Sequence, residues 1–528
     1  MFTKTMKTLV AATGLLMAAA CTDLGVNPVS TITDANAFNE PSSYRQYLAK
    51  IYAGLAVSGQ AGPAGLPDIQ GIDEGFSQYL RLLWQMQELP TDEAHIAWND
   101  QGVQELNTQI WATNNQFLGA MYYRIYFQVA LVNEFLRQTT DEKLTARNVS
   151  DELRADIQQF RAEARFLRAL SYWHGIDLFA NIPLVQEDFA LGTTPPTQST
   201  RTQIFDYIVS ELNAIRPDLP APKTGQYGRA DQGAVSMLLA KLYLNAGVYT
   251  GTTRYADART AAEAVINAPY QLDDRYRDIF LADNHTSPEI IFAVPFDGDH
   301  TQTFGGTAFL IHASVGGNMD PANWGIDGGW WGLRVKPEFV ALFPGGASSA
   351  DTRASQVLFT NGQTLAIDEP FNFQRGLGAP KYRNITSSGE PGKDLGFPDT
   401  DYPMFRLADA YLMYAEAVLR GGGGSLAQAV TYVNALRQRA YGNTSGNITQ
   451  GELTLDFILA ERARELFWEG HRRTDLIRFN RFTQNSVWQW KGGILAGRPT
   501  EQFRDLYPLP ATEIVANPNL TQNPGYGT

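Results

Sequence analysis

The chain has 528 residues, of which 44% are hydrophobic and 18% charged, and its formal net charge is −13. This composition is typical of a globular protein with a substantial core and excludes a disordered chain. The acidic balance comes without any tract rich in lysine and arginine, which excludes an electrostatic surface for nucleic acid. We therefore expect no nucleic-acid partner.

The N-terminus has the pattern of a secretory signal peptide. Lys4 and Lys7 precede the apolar run LVAATGLLMAAA, which ends at Cys21, the only cysteine in the chain. About a dozen apolar residues are too few for a helix to cross the roughly 30 Å core of a bilayer. The sequence therefore predicts a cleaved leader over 1–20 rather than a membrane span.

The residues before Cys21 are small and resemble a bacterial lipobox, in which the cysteine is lipidated after cleavage. Ala18 occupies the position where such motifs usually have leucine. The alternative is a cysteine that lies by chance in an ordinary signal peptide. We predict lipidation at Cys21, followed by a polar tether that completes 21–39.

Apolar residues at spacings of three and four predict that most of the remaining chain is helical. The predicted helices cover, in chain order, 43–57, 110–137, 152–177, 203–215, 232–247, 256–267, 404–420, 426–439 and 458–480. We predict a mainly α fold with an N-terminal helical region over 40–272. A C-terminal helical region, ending in an irregular strap, covers 402–528.

Two helix pairs have spacing similar to tetratricopeptide repeats, 232–247 with 256–267 and 404–420 with 426–439. Alanines such as Ala240 occur where antiparallel helices would approach closely. The pairs are irregular, and a generic helical bundle would have similar spacing.

Residues 273–401 differ from the helical regions in composition. They are rich in glycine, asparagine and aromatic residues, with only short β-like runs such as 289–295. Long segments without helical periodicity tend to carry function when a rigid scaffold holds them. We predict that 273–401 is a loop-rich, ligand-binding insertion with short strands.

The run ILAERARELFWEGHRRTDLIRFN over 458–480 is dense in charges. On one continuous helix, the pairs Glu461–Arg464 and Arg462–Glu465, and Glu469 with Arg472 and Arg473, lie three or four residues apart. Either these charges form an anion site or they are buried ion pairs that fix the helix to its neighbours. The sequence favours ion pairs.

The same segment carries a family resemblance. ERARELFWEGHRRTDLIRF, together with FRLADAYLMYAEAVLR, AEARFLRALSYWHGIDLFANIPLV and YPLPATEIVANPNLTQNPGY, closely resembles the SusD/RagB family of outer-membrane nutrient-binding lipoproteins. The resemblance extends from about residue 43 to the C-terminus. It implies a helical fold with tetratricopeptide-like pairs and an irregular ligand-binding region.

The resemblance also implies a function. Such a protein is a lipid-anchored, cell-surface binding protein of the outer membrane that takes up oligosaccharide without catalysis. It would act as a lid on a SusC-like TonB-dependent transporter, with its helical repeats facing that partner. No cofactor is expected.

Loop tryptophans are the candidate glycan-binding residues. Aromatic rings are rigid apolar surfaces that can stack on the C–H faces of sugars, and polar neighbours can bind hydroxyl groups. The resemblance points to Trp98, whereas the loop NWGIDGGWWG is selected by its composition. The alternative is that these rings are buried core residues. The candidate set is Trp98, Asn99, Asp100, Trp324, Asp327, Trp330 and Trp331.

Catalytic and metal-binding signatures are absent from the sequence. None of the six histidines has metal-ligand spacing, and no nucleophile elbow or phosphate-binding loop occurs. Asp297 and Asp299 resemble a fragment of a calcium loop, but the other ligands are missing. We predict no metal site and no enzyme activity. A secreted helical glycoside hydrolase and a tetratricopeptide-like protein-binding scaffold remain the alternatives.

Overall fold

The computed structural model describes residues 37–527 apart from 39, 64, 191 and 193, so Cys21 and the leader lie outside the described residues. Contacts divide the chain into two units, Met1–Arg45 and Gln46–Thr528. Every strand, and every helix that begins after residue 46, lies in the larger unit. None of the described helices is long and apolar enough to cross a membrane.

Helices dominate the described residues. They are α1 Ser42–Ala56, α2 Tyr79–Glu88, α3 Val103–Thr108, α4 Gln116–Gln138, α5 Asp141–Ala146, α6 Asp151–Phe179, α7 Arg201–Ile215, α8 Gln232–Leu244, α9 Ala246–Thr250, α10 Tyr255–Ile266, α11 Gly306–His312, α12 Pro337–Val340, α13 Thr352–Val357, α14 Leu407–Leu419, α15 Leu426–Tyr441, α16 Leu455–Leu466, α17 Arg472–Arg478 and α18 Ala511–Ala516. The prediction of a mainly α fold is confirmed.

The long helices pack in series. α4 packs on α6, α6 on α7 and α7 on α8, and the series continues through α10 and α14 to α15. The two predicted helix pairs, α8 with α10 and α14 with α15, are therefore neighbours in space. Ala240, Ala258 and Ala415 are fully buried, which lets the helices approach closely.

Short strands form three small sheets. The strands are β1 Ala94–Ile96, β2 Ile182–Pro183, β3 Gln198–Ser199, β4 Ile290–Val294, β5 Leu333–Val335, β6 Leu377–Gly378 and β7 Tyr402–Arg406. The sheets are antiparallel, with orders β1-β5-β6, β2-β3 and β4-β7.

The insertion at 273–401 is therefore fixed to both helical regions, because β5 pairs with β1 and β4 pairs with β7. The β4–β7 pairing also corrects one boundary. Residues 404–406, predicted as helix, belong to β7, and the helix begins only at Leu407.

Buried ion pairs join the C-terminal helices to the rest of the unit. Arg406 is 1% exposed. Its guanidinium donates to Glu289 at 2.7 Å, Glu465 at 2.7 Å and Glu469 at 2.6 Å. The ion-pair interpretation of 458–480 is supported, because one arginine connects the start of β4, α16 and the turn after α16.

The partners predicted within 458–480 are only partly correct. Glu461 and Arg464 pair at 2.6 Å. The other pairs predicted for this segment are wrong. Arg462 and Glu465 both lie on α16 but bind other elements, and Glu469 lies beyond the end of α16 at Leu466. The observed partners are Asp409 and Asp475 for Arg462, Arg353 for Glu465, Lys381 for Glu469, Asp92 for Arg472 and Asp177 for Arg473.

Candidate functional site

A short antiparallel pairing brings two distant loops together. Ile96 of β1 lies opposite Leu333 of β5, and the backbone N–H of Ala97 donates to the carbonyl of Gly332 at 2.8 Å. The residue after this ladder is Trp98, and the residues before β5 are Trp330 and Trp331. The sheet therefore places three of the candidate tryptophans in one area.

Trp98 is half-buried and is fixed by the opposite loop. Its indole N–H donates to the backbone carbonyl of Trp330 at 2.8 Å, and the two ring centroids are 6.4 Å apart. A Cβ on Gly332 would lie 2.8 Å from Cε2 of Trp98, so this close packing requires glycine at 332.

Trp330 is also half-buried. One side of its ring stacks on buried His312, with centroids 4.6 Å apart and an interplanar angle of 21°. Phe304 approaches Trp330 edge-on at 6.1 Å and is 41% exposed. We call Trp98, Phe304 and Trp330 the aromatic surface.

The backbone before Trp330 lies against the end of α11. The N–H of Trp330 donates to the carbonyl of His312 at 2.7 Å. A Cβ on Gly329 would lie 2.2 Å from the carbonyl oxygen of Val315, whereas nothing lies within 4 Å of one on Gly328. Gly329 therefore permits the close approach that positions the Trp330 ring.

Arg81 of α2 lies beneath the aromatic surface and is 3% exposed. Its guanidinium is 4.2 Å from the ring centroid of Phe309 and 5.6 Å from that of Trp98, and it donates to the carbonyl of Phe304 at 3.0 Å. Burial lowers the pKa of Arg81 to about 9, although the carboxylates of Asp73 and Asp100 oppose this shift. The arginine therefore supports the rings of Trp98 and Phe309 and fixes the backbone of Phe304.

Polar candidates lie at the edge of this area. Asn99 is exposed and Asp100 half-buried. The Asp327 side chain is 67% exposed, with Oδ1 4.0 Å from Nδ1 of His312, the ring on which Trp330 stacks. Burial lowers the pKa of His312, which favours its neutral form under Trp330. These oxygens and amides can bind sugar hydroxyl groups.

Trp324 is placed differently from the other loop tryptophans. It is 6% exposed, and its ring meets Phe359 edge-on at 5.9 Å. The buried alternative therefore applies to Trp324, because the 3₁₀ turn Pro321–Trp324 directs this ring into the core. Trp324 is therefore not part of the aromatic surface.

Trp331 is the most exposed of the candidate rings, at 51%. Its ring contacts Phe373 at a centroid distance of 5.9 Å, a residue outside the aromatic surface. Trp330 and Trp331 are adjacent in sequence, but their rings pack against different residues.

Phe304, Arg81 and His312 were not predicted from the sequence. Phe304 begins the run FGGTAFL. Glycines beside an aromatic residue are the pattern that selects Trp330 and Trp331 as candidates. The same signal could have identified Phe304. Arg81 and His312 lie among apolar residues on α2 and α11. The sequence pattern therefore predicts core positions there rather than residues of a binding site.

Asp297, Asp299 and His300 have ligand atoms within 4.8 Å of one another. Lys393 already places its ammonium 2.5 Å from Asp297. The hydrogen bond from Lys393, assisted by His300, lowers the pKa of Asp297 to about 2. The lysine supplies the positive charge at this turn, so the cluster gives no support to a metal site.

Comparisons with known proteins identify the family. The profile described as "SusD family" matches residues 355–526, and one described as "Starch-binding associating with outer membrane" matches residues 80–244. The "Starch-binding protein SusD" of Bacteroides thetaiotaomicron is 34% identical, with 96% of this chain and 95% of the relative covered. The chain belongs to the SusD family.

Further relatives agree with this SusD-family membership. The "SusD-like protein P2" of Formosa agariphila is 27% identical over 97% of this chain and 98% of its own length. Surface glycan-binding protein A from Bacteroides thetaiotaomicron, solved in complex with laminarihexaose, is 22% identical with a TM-score of 0.68. The match covers 91% of this chain and 98% of that one.

A SusD superfamily protein from the same organism has a TM-score of 0.71 at 21% identity, over 92% of this chain and 99% of that one. Both structural matches establish the SusD fold. The family resemblance expected from the sequence is confirmed.

Proposed function

We propose that this SusD-family protein is a non-catalytic, cell-surface receptor that binds neutral glucan chains on the aromatic surface. It then delivers them to a SusC-like TonB-dependent transporter in the outer membrane. The observation that carries the proposal is the arrangement of Trp98, Phe304 and Trp330 around one area of surface, with Arg81 beneath them.

Ring geometry favours sugar over other ligands. The three rings lie edge-to-face or tilted, with centroids 6.1 and 6.4 Å apart around Trp330. Such an arrangement offers successive apolar faces at different angles, which suits a curved chain of sugar rings. Because each ring is fixed by a hydrogen bond, a stack or Arg81, little conformational entropy is lost on binding.

The polar groups favour a ligand without negative charge. Asp100 and Asp327 flank the rings. Asp73 is also exposed, and its charge acts on Arg81 beneath them. Carboxylates accept hydrogen bonds from hydroxyl groups but repel uronates and sulfated sugars. Neutral hexose chains therefore match this surface better than anionic glycans.

The names of the relatives point to glucans. The 34% identical relative is named a starch-binding protein, and one structural neighbour was solved with laminarihexaose. Since the starch-binding relative matches nearly the full chain, we propose starch-type α-glucan as the first candidate substrate. Laminarin-type β-glucan is the second.

Family membership supports the proposed location and partner. A profile described as associating with the outer membrane supports placement there. Lipidation of Cys21 would anchor the protein by its acyl chains. We propose that the packed series of helices, including α8, α10, α14 and α15, faces the transporter while the aromatic surface holds the glycan.

Calorimetric titration of the purified protein tests the proposal. Maltoheptaose, laminarihexaose, a fructan oligosaccharide and an oligogalacturonate form the ligand panel. We expect binding of one neutral glucan without new reducing ends, and a loss of that binding in Trp98→Ala. Folded protein that binds no member of the panel would overturn the proposal, and release of reducing ends would favour a hydrolase.

A further inference from the structure

Trp331 has contacts separate from those of the aromatic surface. Trp330 contacts Trp98, Phe304 and His312, whereas Trp331 contacts Phe373. Trp331 is 51% exposed although it adjoins the well-packed Gly332. Because half of its surface faces solvent, core packing alone does not account for the position of this ring.

The Trp331 ring is held in place rather than free. A Cβ on Gly316 would lie 2.8 Å from Cγ of Trp331 and 3.0 Å from Cε1 of Phe373. The backbone N–H of Trp331 donates to the carbonyl of Val315 at 3.1 Å. One side of the ring is therefore packed on Gly316 and Phe373, and the rest faces solvent.

The support beneath Trp331 is itself rigid. Phe373 is 4% exposed and lies in a loop that Arg334 fixes. The buried guanidinium of Arg334 donates to the carbonyls of Pro370 and Asn372, each at 2.5 Å, and to that of Arg375. Arg334 belongs to β5, three residues after Trp331, so the strand and the loop hold the ring together.

The backbone of Trp331 has a φ of 55°. A bulky residue in the left-handed region costs free energy, and such conformations persist where the surroundings enforce them, often at binding sites. Here the conformation directs a large ring outward instead of into the core. That orientation suits a ligand-binding role.

Two polar residues lie on the segments that pack against this ring. Gln374 follows Phe373 and Asn318 follows the Gly316–Gly317 turn, and both residues are exposed. A Cβ on Gly317 would lie 3.6 Å from Cγ of Gln374, so the two segments that carry these amides are adjacent. Amides can donate to and accept from sugar hydroxyl groups.

We propose that Trp331, supported by Phe373 and flanked by Asn318 and Gln374, is a second glycan subsite that binds a further segment of the same polysaccharide. This inference rests on the proposed function, because it assumes that the aromatic surface binds the glucan first. We call these four residues the Trp331 subsite.

A second subsite changes how affinity depends on chain length. On this proposal a trisaccharide fills one of the two sites, whereas a polysaccharide fills both, and the second contact then forms at a high effective concentration. Loss of Trp331 should therefore weaken polymer binding selectively. Loss of Trp330 should weaken the binding of chains of any length.

The test compares ligands of different length on the purified full-length protein. Maltotriose and maltoheptaose are titrated by calorimetry, and binding to glycogen is measured by affinity electrophoresis. Laminaritriose, laminarihexaose and laminarin replace them if the β-glucan series is the one that binds. The variants are Trp331→Ala, Trp331→Phe and Trp330→Ala, with Phe371→Ala as the control for an exposed ring on the loop that carries Phe373.

We expect Trp331→Ala to lower polysaccharide affinity by about tenfold or more while trisaccharide affinity stays unchanged. Trp331→Phe should retain most of the polymer affinity, and Phe371→Ala all of it. Unchanged trisaccharide binding also shows that the variant is folded.

Two outcomes would overturn the inference while leaving the proposed function intact. One is unchanged polymer binding in Trp331→Ala when Trp330→Ala weakens it. The other is an equal loss for trisaccharide and polymer, which would place Trp331 within the aromatic surface. If the wild-type protein binds no glucan of either series, the proposed function itself fails.

Discussion

The indole N–H of Trp98 donates to the carbonyl of Trp330 at 2.8 Å, across 232 residues of sequence. We predict that Trp98→Phe, which keeps a ring but removes this donor, leaves the Trp330 carbonyl without its partner. Stability should fall by about 1 kcal/mol, and glucan affinity should fall less than in Trp98→Ala. Urea unfolding and calorimetric titration measure the two effects.

An equal loss of affinity in the phenylalanine and alanine variants would mean that the hydrogen bond, not the ring, determines binding. Wild-type affinity in both variants would remove Trp98 from the site.

Gly329 and Gly328 provide a test variant and its control, because a Cβ would clash at the first position but not at the second. We predict that Gly329→Ala weakens glucan binding by about tenfold, equivalent to about 1.4 kcal/mol. The reason is that its Cβ would lie 2.2 Å from the Val315 carbonyl and displace Trp330. Gly328→Ala, with nothing within 4 Å of the new methyl group, should bind normally. Equal affinities of the two variants would contradict the positioning role of Gly329.

Arg406 is the centre of a buried charge cluster. We predict that Arg406→Ala lowers the free energy of unfolding by about 3–5 kcal/mol, because Glu289, Glu465 and Glu469 would lose their shared buried partner. Chemical denaturation gives the value. Arg481→Ala is the control, since the Arg481–Asp456 pair is exposed and should contribute less than about 1 kcal/mol.

Asp401 should make stability depend on pH. Burial raises its pKa from 3.8 to about 6, although Tyr227 donates to it at 2.7 Å. Between these two pH values the folded state therefore keeps a proton on Asp401 that the unfolded state has lost. The contribution of Asp401 to stability should fall as pH rises from about 4 to about 6 and stay low above that.

The variant Asp401→Asn removes this dependence. The unfolding free energy of the variant minus that of wild type should be larger at pH 8 than at pH 4. The increase should be at least about 1 kcal/mol, the equivalent of roughly one pKa unit. Urea unfolding at both pH values measures the difference. A difference of the opposite sign would show that Asp401 is ionised without cost in the folded state.

Helices were predictable from sequence wherever apolar periodicity was long, as in α6 and α7. The breaks within such segments were not. The predicted helix at 110–137 begins only at Gln116, because Gln109 has a φ of 57° and Asn115 caps the helix by accepting from Phe117 and Leu118. Apolar side chains on both sides of the break hid it from the pattern.

The same limit explains the wrong ion pairs predicted for Glu469. Between α16 and α17 the chain turns at Trp468 and Gly470, which have φ values of 58° and 75°. A charged sequence of helical spacing gives no sign of this turn. Glu469 consequently leaves the helix surface and binds Lys381 and Arg406.

The composition of the candidate site was predictable, but its assembly was not. Trp98 could be chosen from the family resemblance, and Trp330 because it lies in a loop rich in glycine and tryptophan. Their contact depends on strands of three residues, β1 and β5, whose pairing has no sequence signal at this separation. Phe304 joins them only through the packing of α11 on α2.

The distance in sequence between Trp98 and Trp330 has a consequence for folding. Pairing of β1 with β5 closes a loop of more than two hundred residues, and such long-range contacts form slowly and late. A sugar that bridges the two loops would bind only chains that have completed this step. Glucan added during refolding would therefore leave the early phases unchanged and would slow the unfolding of native molecules. The rate at which sugar-binding capacity appears would then report the rate of the last folding step.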